Sequence, residues 1–471
     1  MADKEIKQIK DLIIEAGKRA RQESDFEPEQ ALTQPVKWPV NCLVGPGLEG
    51  AIACESKIGY VNGSKGWLIY RGYDIFDLCA HSTFEEVAYL LLYGALPTVS
   101  QFDNFKAKLI KYRDINYTIR LLMGFPIEKM NAMAALRIGT NFMRQELTYV
   151  DSDAYSPDFD TAISADEDSI PMETKPRGEE HAIYEFKKAS AGNKPRSVDK
   201  NLQFSAEEES CYSLISGVST VAGVVARLRQ DRIPIEPDPS LSHAGNLIYV
   251  ITGRKPTPIE EKIMDIALIL HADHGMNAST FATMVVASTL SDMYFAIGSG
   301  IAALNGPLHG GANERVVKML QEIGGPGNVN KWFEEKLAKK EKIMGFGHRV
   351  YKAYDPRARV LGPLAEYLVE HSGNEEIKKL FRTAKTLEKK VVSRLGKEKK
   401  IFPNVDFYSG IIYLCLGIPM ELFTPIFAVS RVSGWTARVR EYLKANRIFR
   451  PRAVYVGPFD KRYEPIKKRS S

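Results

Sequence analysis

Ser82-Thr83-Phe84-Glu85-Glu86-Val87-Ala88-Tyr89-Leu90-Leu91-Leu92-Tyr93-Gly94 is the stretch whose reading decides the fold class. Ser82-Thr83 is a natural N-cap, because a hydroxyl there accepts a backbone N–H that the first helical turn leaves unpaired. Gly94 is a natural stop, because glycine takes the left-handed conformation that closes a helix. Helical periodicity continues outward from this stretch. Further helices are predicted over 101–113, 129–146, 211–230, 240–253, 258–272, 278–304, 312–323, 330–340, 358–371, 374–395, 408–417, 420–429 and 431–446. Upstream, Ile6, Ile9, Ile13 and Ala16 predict an amphipathic helix over 4–22, followed by a Pro/Gly-rich connector from Pro35 to Gly50. Residues 57–73 read as a single β-hairpin with Asn62-Gly63 as its turn. The fold class is therefore mainly α.

Two segments depart from this pattern. Residues 151–209 are first acidic and Pro-containing, then of mixed charge and poor in large aliphatics, which reads as a mobile surface insertion. Residues 278–304 are rich in Ala, Ser and Gly on every side, as expected of a helix buried in a core or across a subunit interface, and an interface is favoured.

The chain has 471 residues, too many for one ordinary core. Its formal net charge of +6 is spread thinly, which suits small anionic substrates better than nucleic acid. The basic tail, Lys461-Arg462 to Lys467-Lys468-Arg469, lacks interleaved aromatic residues and reads as solvated. Five scattered cysteines without a C-x-x-C pair point to reduced thiols in a cytoplasmic setting. The polar opening Met1-Ala2-Asp3-Lys4-Glu5 resembles neither a secretion signal nor a transit peptide. The most membrane-like stretch, Gly410 to Ser430, contains Pro419, Glu421 and Pro425 and reads as a buried helix pair.

Three turns each place one ionisable side chain among backbone-breaking residues. They are Gly306-Pro307-Leu308-His309-Gly310-Gly311, Gly345-Phe346-Gly347-His348-Arg349 and Phe402-Pro403-Asn404-Val405-Asp406. Two imidazoles and a carboxylate are the parts of general acid–base chemistry. The helix expected from Ala312 would lower the pKa of His309 and keep it a neutral hydrogen-bond donor. Aromatic neighbours of Asp406 would raise its pKa by desolvation, and capping the helix expected near Tyr408 is an alternative role. Arg357, expected on a turn because of Pro356, could pair bidentately with a carboxylate, and Arg431 and Arg450 near helix ends are further candidates. His271-Ala272-Asp273-His274 leaves three readings open: a metal site, a substrate contact through His274, or a structural histidine.

These motifs, together with Asn277-Ala278-Ser279-Thr280, Ala312-Asn313-Glu314, Val350-Tyr351-Lys352, Asp355-Pro356-Arg357, Phe407-Tyr408-Ser409-Gly410 and Arg450-Pro451-Arg452, resemble the citrate synthase family in order and spacing. The resemblance covers about 45–150 and 210–460; the insertion departs from the family's shorter connection there. It implies a two-domain, all-helical fold with a small β-hairpin near the N-terminus. The implied divisions are an N-terminal helix and connector (1–44), a large domain (45–310 and 409–471, with the C-terminal tail) and a small domain (311–408). The implied reaction condenses acetyl-CoA with oxaloacetate and hydrolyses the thioester. The implied roles are Asp406 as methyl base, His309 as enol stabiliser, and His348 as the group that polarises the oxaloacetate carbonyl. His274, Arg357 and Arg431 would bind oxaloacetate, with Arg450 donated across a homodimer interface. Lys352, Gly345 and Gly347 would contact coenzyme A. No metal or permanently bound cofactor is implied; acetyl-CoA is a co-substrate. The rivals are a 2-methylcitrate synthase using propionyl-CoA at the same residues, a non-catalytic regulatory paralogue and a metal hydrolase.

Overall fold

A computed structural model describes residues 2–23, 35–148, 200–454, 456–458, 463 and 465–466, without the side chains of 147–148 and 200–207. The chain opens with α1 (Ala2–Gln22), then a small antiparallel sheet of β1 (Gly59–Asn62), β2 (Trp67–Tyr70) and β3 (Tyr73–Asp74). Helices follow: α2 (Ile75–His81), α3 (Phe84–Tyr93), α4 (Val99–Lys111), α5 (Asn116–Met123), α6 (Ala132–Phe142) and α7 (Arg144–Thr148). Next come α8 (Lys200–Leu228), α9 (His243–Thr252), α10 (Pro258–His271), α11 (Ala278–Ser288), α12 (Met293–Leu304) and α13 (Ala312–Ile323). The chain continues through α14 (Val329–Ala338), α15 (Pro356–His371), α16 (Glu375–Val391), α17 (Lys397–Lys399), α18 (Asp406–Cys415) and α19 (Phe423–Leu443). The mainly helical class is as expected.

The caps act as the residues predict. The Thr83 side chain accepts from the Glu86 N–H at 3.3 Å, and Gly94 closes α3 in the left-handed region. Such a cap stabilises a helix by about 1 kcal/mol. α3 packs inward through Phe84, Val87, Ala88, Leu90 and Leu91, all shielded from solvent. Burying one such side chain contributes about 1.5–3 kcal/mol.

Several boundaries differ from expectation. The single helix expected over 278–304 is two, because Leu290 takes φ 66° and the Asp292 side chain caps a new start by accepting from Phe295 N–H. The pair expected over 420–429 and 431–446 is one helix, α19, since Pro425 lies in its first turn, where a missing N–H costs nothing. The Asn62-Gly63 turn is a four-residue connection: Asn62 still pairs with Trp67, and its side chain accepts from Lys65 N–H. Residues 151–199 of the expected insertion lie outside the described residues, as do most of the basic tail's residues, but α8 starts at Lys200 and therefore claims the insertion's C-terminal end. Helices α2 and α5 and strand β3 had no clear sequence signal.

α8 packs against α6, α9 and α19 at the centre of the molecule. Its Glu208–Leu228 stretch is long and apolar enough to cross a membrane, yet 89% of its apolar window is buried inside the fold. This helix passes the length test that the Gly410–Ser430 stretch fails, because that stretch is broken between α18 and α19. α13, α14, α15, α16 and α18 pack on one another.

α19 is pressed hard against the turn after α10. A Cβ on Gly434 would stand 2.2 Å from the Ala272 carbonyl oxygen, whereas a Cβ on Gly327 would meet nothing within 4 Å. Gly434→Ala is therefore expected to lower stability by about 1–3 kcal/mol in urea unfolding. Gly327→Ala is the matched control and should leave the midpoint nearly unchanged.

Candidate active site

Two of the three reactive turns are joined by backbone. Phe346 and Pro403 form an antiparallel bridge, Gly347 N–H donates to Phe402 O at 2.9 Å, and Asn404 N–H donates to Gly345 O at 2.9 Å. The Asn404 side chain adds a bond to Gly347 O at 3.0 Å and accepts the Asp406 N–H at 3.0 Å. Gly345 and Gly347, at φ 77° and 76°, supply the left-handed turns that this crossing requires. The turns that carry His348 and Asp406, far apart in sequence, are thus held against each other.

Neighbouring N–H groups fix the protons on both imidazoles. His309 Nε2 accepts from Ser279 N–H at 3.1 Å and lies 2.8 Å from Ser279 Oγ. In the neutral ring the proton must then sit on Nδ1. His348 Nδ1 accepts from Val350 N–H and Tyr351 N–H at 3.0 and 3.2 Å, so its proton sits on Nε2. Burial, then the Arg431 charge, pushes His309 down to about 4. Burial, then the Arg357 charge, pushes His348 down to about 4. The helix start that meets His309 is that of α11, not the expected one at Ala312, where Gly311 sits at the N-cap.

Asp406 is the first residue of α18, two positions earlier than expected, and its side chain is not the cap. Burial drives its carboxyl up to about 6, and the Asp355 charge adds to this against the opposing fields of Arg357, Arg315 and Arg431.

Positive charge gathers around these groups. Arg357 lies in the first turn of α15, not on a turn outside a helix, because Pro356 is tolerated at the first helical position. Its Nε and Nη2 donate to the two Asp355 carboxylate oxygens at 3.0 and 2.8 Å. Asp355 also accepts Val405 N–H at 3.2 Å, beside Asp406. Arg431 lies within α19 and not near its end; its Nε donates to the His271 carbonyl and its Nη2 is buried with no partner among the described residues. Burial lowers Arg431 to about 10 despite the Asp273 charge. His274 Nε2 shares a hydrogen bond with the Tyr351 hydroxyl at 3.2 Å, and its ring stands 5.2 Å from that of His348.

The His271-Ala272-Asp273-His274 run does not present a common set of ligands. His271 Nδ1 faces the Ala267 carbonyl at 2.6 Å, while Asp273 is held bidentately by Arg438 at 2.6 and 2.7 Å. The side chains of Lys352 and Arg450 are exposed and stand outside the buried cluster. Gly347 spends both backbone polar groups inside the bridge, but a Cβ there would meet nothing within 4 Å.

Sequence reading missed the groups that position the reactive ones. Arg315 staples the His309 turn through Pro307 O at 2.6 Å and Gly311 O at 3.2 Å. Glu388 on α16 accepts from both the Tyr354 and Tyr408 hydroxyls, tying the Arg357 and Asp406 segments together. Asp355 could have been found, since Asp before Pro is a helix-start signal.

Asp406 titrates from 3.8 in an unfolded chain to about 6 here, so the folded state binds the proton more firmly. Its buried charge costs stability above pH 6, and the cost fades as pH falls toward 3.8. Asp406→Asn should therefore raise stability at pH 7.5 by about 1–3 kcal/mol, a gain that shrinks below pH 6. Thermal unfolding midpoints between pH 5 and 7.5 check this.

A family model described as "Citrate synthase, C-terminal domain" matches residues 47–452. The chain is 39% identical over 431 residues to the citrate synthase of Acidithiobacillus ferridurans, covering 90% of this chain and 98% of that one. It is 34% identical over 428 residues to a 2-methylcitrate synthase of Shewanella oneidensis, covering 91% and 98%. Its fold is similar to the crystal structure of citrate synthase from Thermotoga maritima, with TM-score 0.72 and 36% identity, covering 91% of this chain and 100% of that one. It is also similar to the ternary complex of carboxymethyl coenzyme A and oxaloacetate with citrate synthase from Thermoplasma acidophilum, with TM-score 0.73 and 33% identity, covering 89% and 97%.

Proposed function

The chain belongs to the citrate synthase family, and from that premise we propose that it condenses acetyl-CoA with oxaloacetate and hydrolyses the product thioester to citrate and CoA. The observation that carries the reading is the buried Nη2 of Arg431, which has no partner among the described residues and lies within the field of Arg357. A buried guanidinium with a free N–H edge favours a carboxylate ligand.

The roles follow from the protons. The Asp406 carboxylate takes a proton from the acetyl methyl group while His309 Nδ1–H donates to the thioester oxygen and stabilises the enol. The enol carbon forms the new bond to the oxaloacetate ketone carbon. The ketone oxygen receives the His348 Nε2 proton, and water then cleaves the thioester, releasing the thiol. His274, Arg357 and Arg431 hold oxaloacetate. With Nε and Nη2 turned to Asp355, Arg357 reaches it through the rest of its fork. Lys352 contacts coenzyme A together with the Gly345–Gly347 backbone, where Gly347, with open space in place of a Cβ, allows close approach.

The same reading makes the protein a cytoplasmic homodimer in which residues 311–408 form a small domain that closes on the large domain and excludes water. Support for the dimer comes from α11 and α12, which leave Ala278, Phe295 and Ala302 exposed on a small-residue surface. Arg450 is exposed and outside its own chain's cluster, which suits donation to the partner.

Turnover measured as free thiol with acetyl-CoA and propionyl-CoA tests the reaction. Asp406→Ala or His309→Ala should each lower turnover at least about 10²-fold with the fold intact. Near-normal rates in both sink the mechanism, and a preference for propionyl-CoA favours the 2-methylcitrate reaction. The rate should fall about tenfold per pH unit below about 6, as Asp406 takes up its proton.

The shared site is tested by mixing. Asp406→Ala and Arg450→Ala homodimers should each be inactive, yet co-refolding them should restore about a quarter of normal activity, because half of each hybrid is intact. No restoration places Arg450 outside a shared site.

A further inference from the structure

A cleft of about 320 Å³ opens between the segment before β1, the end of α3 and the last turns of α19. Its lining includes Lys57, Arg71, Arg440 and Lys444, against Glu55 and Glu441. The two kinds of charge are not equally engaged. Glu441 accepts from Ser56 Oγ at 2.6 Å and from Lys57 N–H at 3.0 Å, and pairs with Arg71 at 3.4 Å. Glu55 accepts Val36 N–H at 2.8 Å. By contrast, Arg440 Nη1 is buried with no partner among the described residues. Its Nη2 lies 3.8 Å from Glu208, and the guanidinium stands 5.0 Å from the centre of the Tyr93 ring. The ammonium groups of Lys57 and Lys444 make no ion pair among the described residues.

Arg71 is engaged, donating to Leu91 O at 2.7 and 3.2 Å besides pairing with Glu441, but a cleft whose carboxylates are satisfied while Arg440 Nη1, Lys57 and Lys444 are not suits an anion. The volume fits the lower end of small-ligand sites. Guanidinium and ammonium donors together suit phosphate oxygens, the first by planar pairing and the second as a point charge.

This cleft is linked to the substrate chamber by a short chain of contacts. Ser56 Oγ, which donates to Glu441, accepts from Arg438 Nη1 at 3.1 Å. Arg438 holds Asp273 bidentately, and Asp273 precedes His274. Asp273 is also the leading charge that supports Arg431.

We propose that the Lys57–Arg71–Arg440–Lys444 cleft binds a small molecule bearing two or more phosphate oxyanions, and that its occupancy weakens the holding of oxaloacetate. The anion draws Arg71 away from Glu441, loosens Ser56 and Arg438, and leaves Asp273 to pair more closely with Arg431. The site itself is independent of the function proposed above; only the coupling rests on that reading.

Inorganic pyrophosphate is the probe, titrated calorimetrically into the full-length protein and into Arg440→Gln/Lys444→Gln. Thermal midpoints of the two proteins confirm that both are folded. The wild type should bind, and the double variant should bind at least tenfold more weakly, with its oxaloacetate affinity in the absence of pyrophosphate within twofold of normal. Saturating pyrophosphate should weaken oxaloacetate binding at least threefold in the wild type and leave the variant unaffected. Equal pyrophosphate affinity in both proteins, or no binding at millimolar concentration, overturns the site. An equal effect on oxaloacetate in both means that pyrophosphate acts in the substrate chamber and overturns the coupling. Pyrophosphate binding without any oxaloacetate binding would leave the cleft standing and count against the proposed reaction instead. Adenosine 5′-diphosphate, run in parallel, separates a nucleotide-bound phosphate from a free one by which of the two binds tighter.

Discussion

Buried guanidinium groups set the terms for the rest of the molecule. Arg357, Arg431 and Arg438 are each almost fully withdrawn from water. A buried charge is tolerated only when partners replace its lost hydration. Arg357 receives that from Asp355 and Arg438 from Asp273. Among the described residues Arg431 touches a backbone carbonyl and the face of Phe427, 4.7 Å from its ring centroid, with the Asp273 charge acting on it but no carboxylate bonded to it. The chamber is therefore left with an unmet demand for negative charge.

Burial, helped by the same charges, keeps the histidines neutral. Each imidazole sits near at least one arginine, and each also accepts backbone N–H groups at one ring nitrogen. Burial and the field set the protonation state, and the N–H groups set the tautomer. Neither effect alone defines a donor aimed in one direction. Asp406 experiences the same arginines with the opposite result: they stabilise its anion, yet burial still wins and leaves a carboxylate basic enough to take a proton from carbon.

How much of this the sequence carried depends on contact distance along the chain. Caps such as Thr83 and Thr257 lie within four residues of the groups they bind, so helix starts were legible. The break at 289–292 was not, although Asp292 is an ordinary cap, because small residues continue on both sides and hide the change of axis. His309, His348 and Asp406 stood out through their glycine and proline frames. Their partners did not. Ser279 is 30 residues from His309, and Asp273 is 165 residues from Arg438. Nothing local marks Arg315 or Glu388, whose importance comes only from what folding brings beside them. The neutrality of His309 comes from burial and Arg431, and the helix start that fixes its tautomer, that of α11, is distant in sequence.

Unfavourable groups at the centre require firm control around them. Asp406 is held charged in a half-buried place, and Arg431 and His271 each leave a polar atom unpaired among the described residues. Such a cluster would relax if the backbone could move. Close contacts prevent it: a Cβ on Gly310 would stand 2.0 Å from Leu304 O, and one on Gly345 would strike Val316 and Phe407 at 2.7 and 2.8 Å. Arg315 fixes one turn by its carbonyls, and the Phe346–Pro403 bridge fixes the other two against each other. Gly310 and Gly345 serve here less as flexible hinges than as residues thin enough for the surrounding structure to close on them. The turns that expose the reactive groups are thus among the most tightly determined parts of the fold, which is what allows their strain in charge to persist.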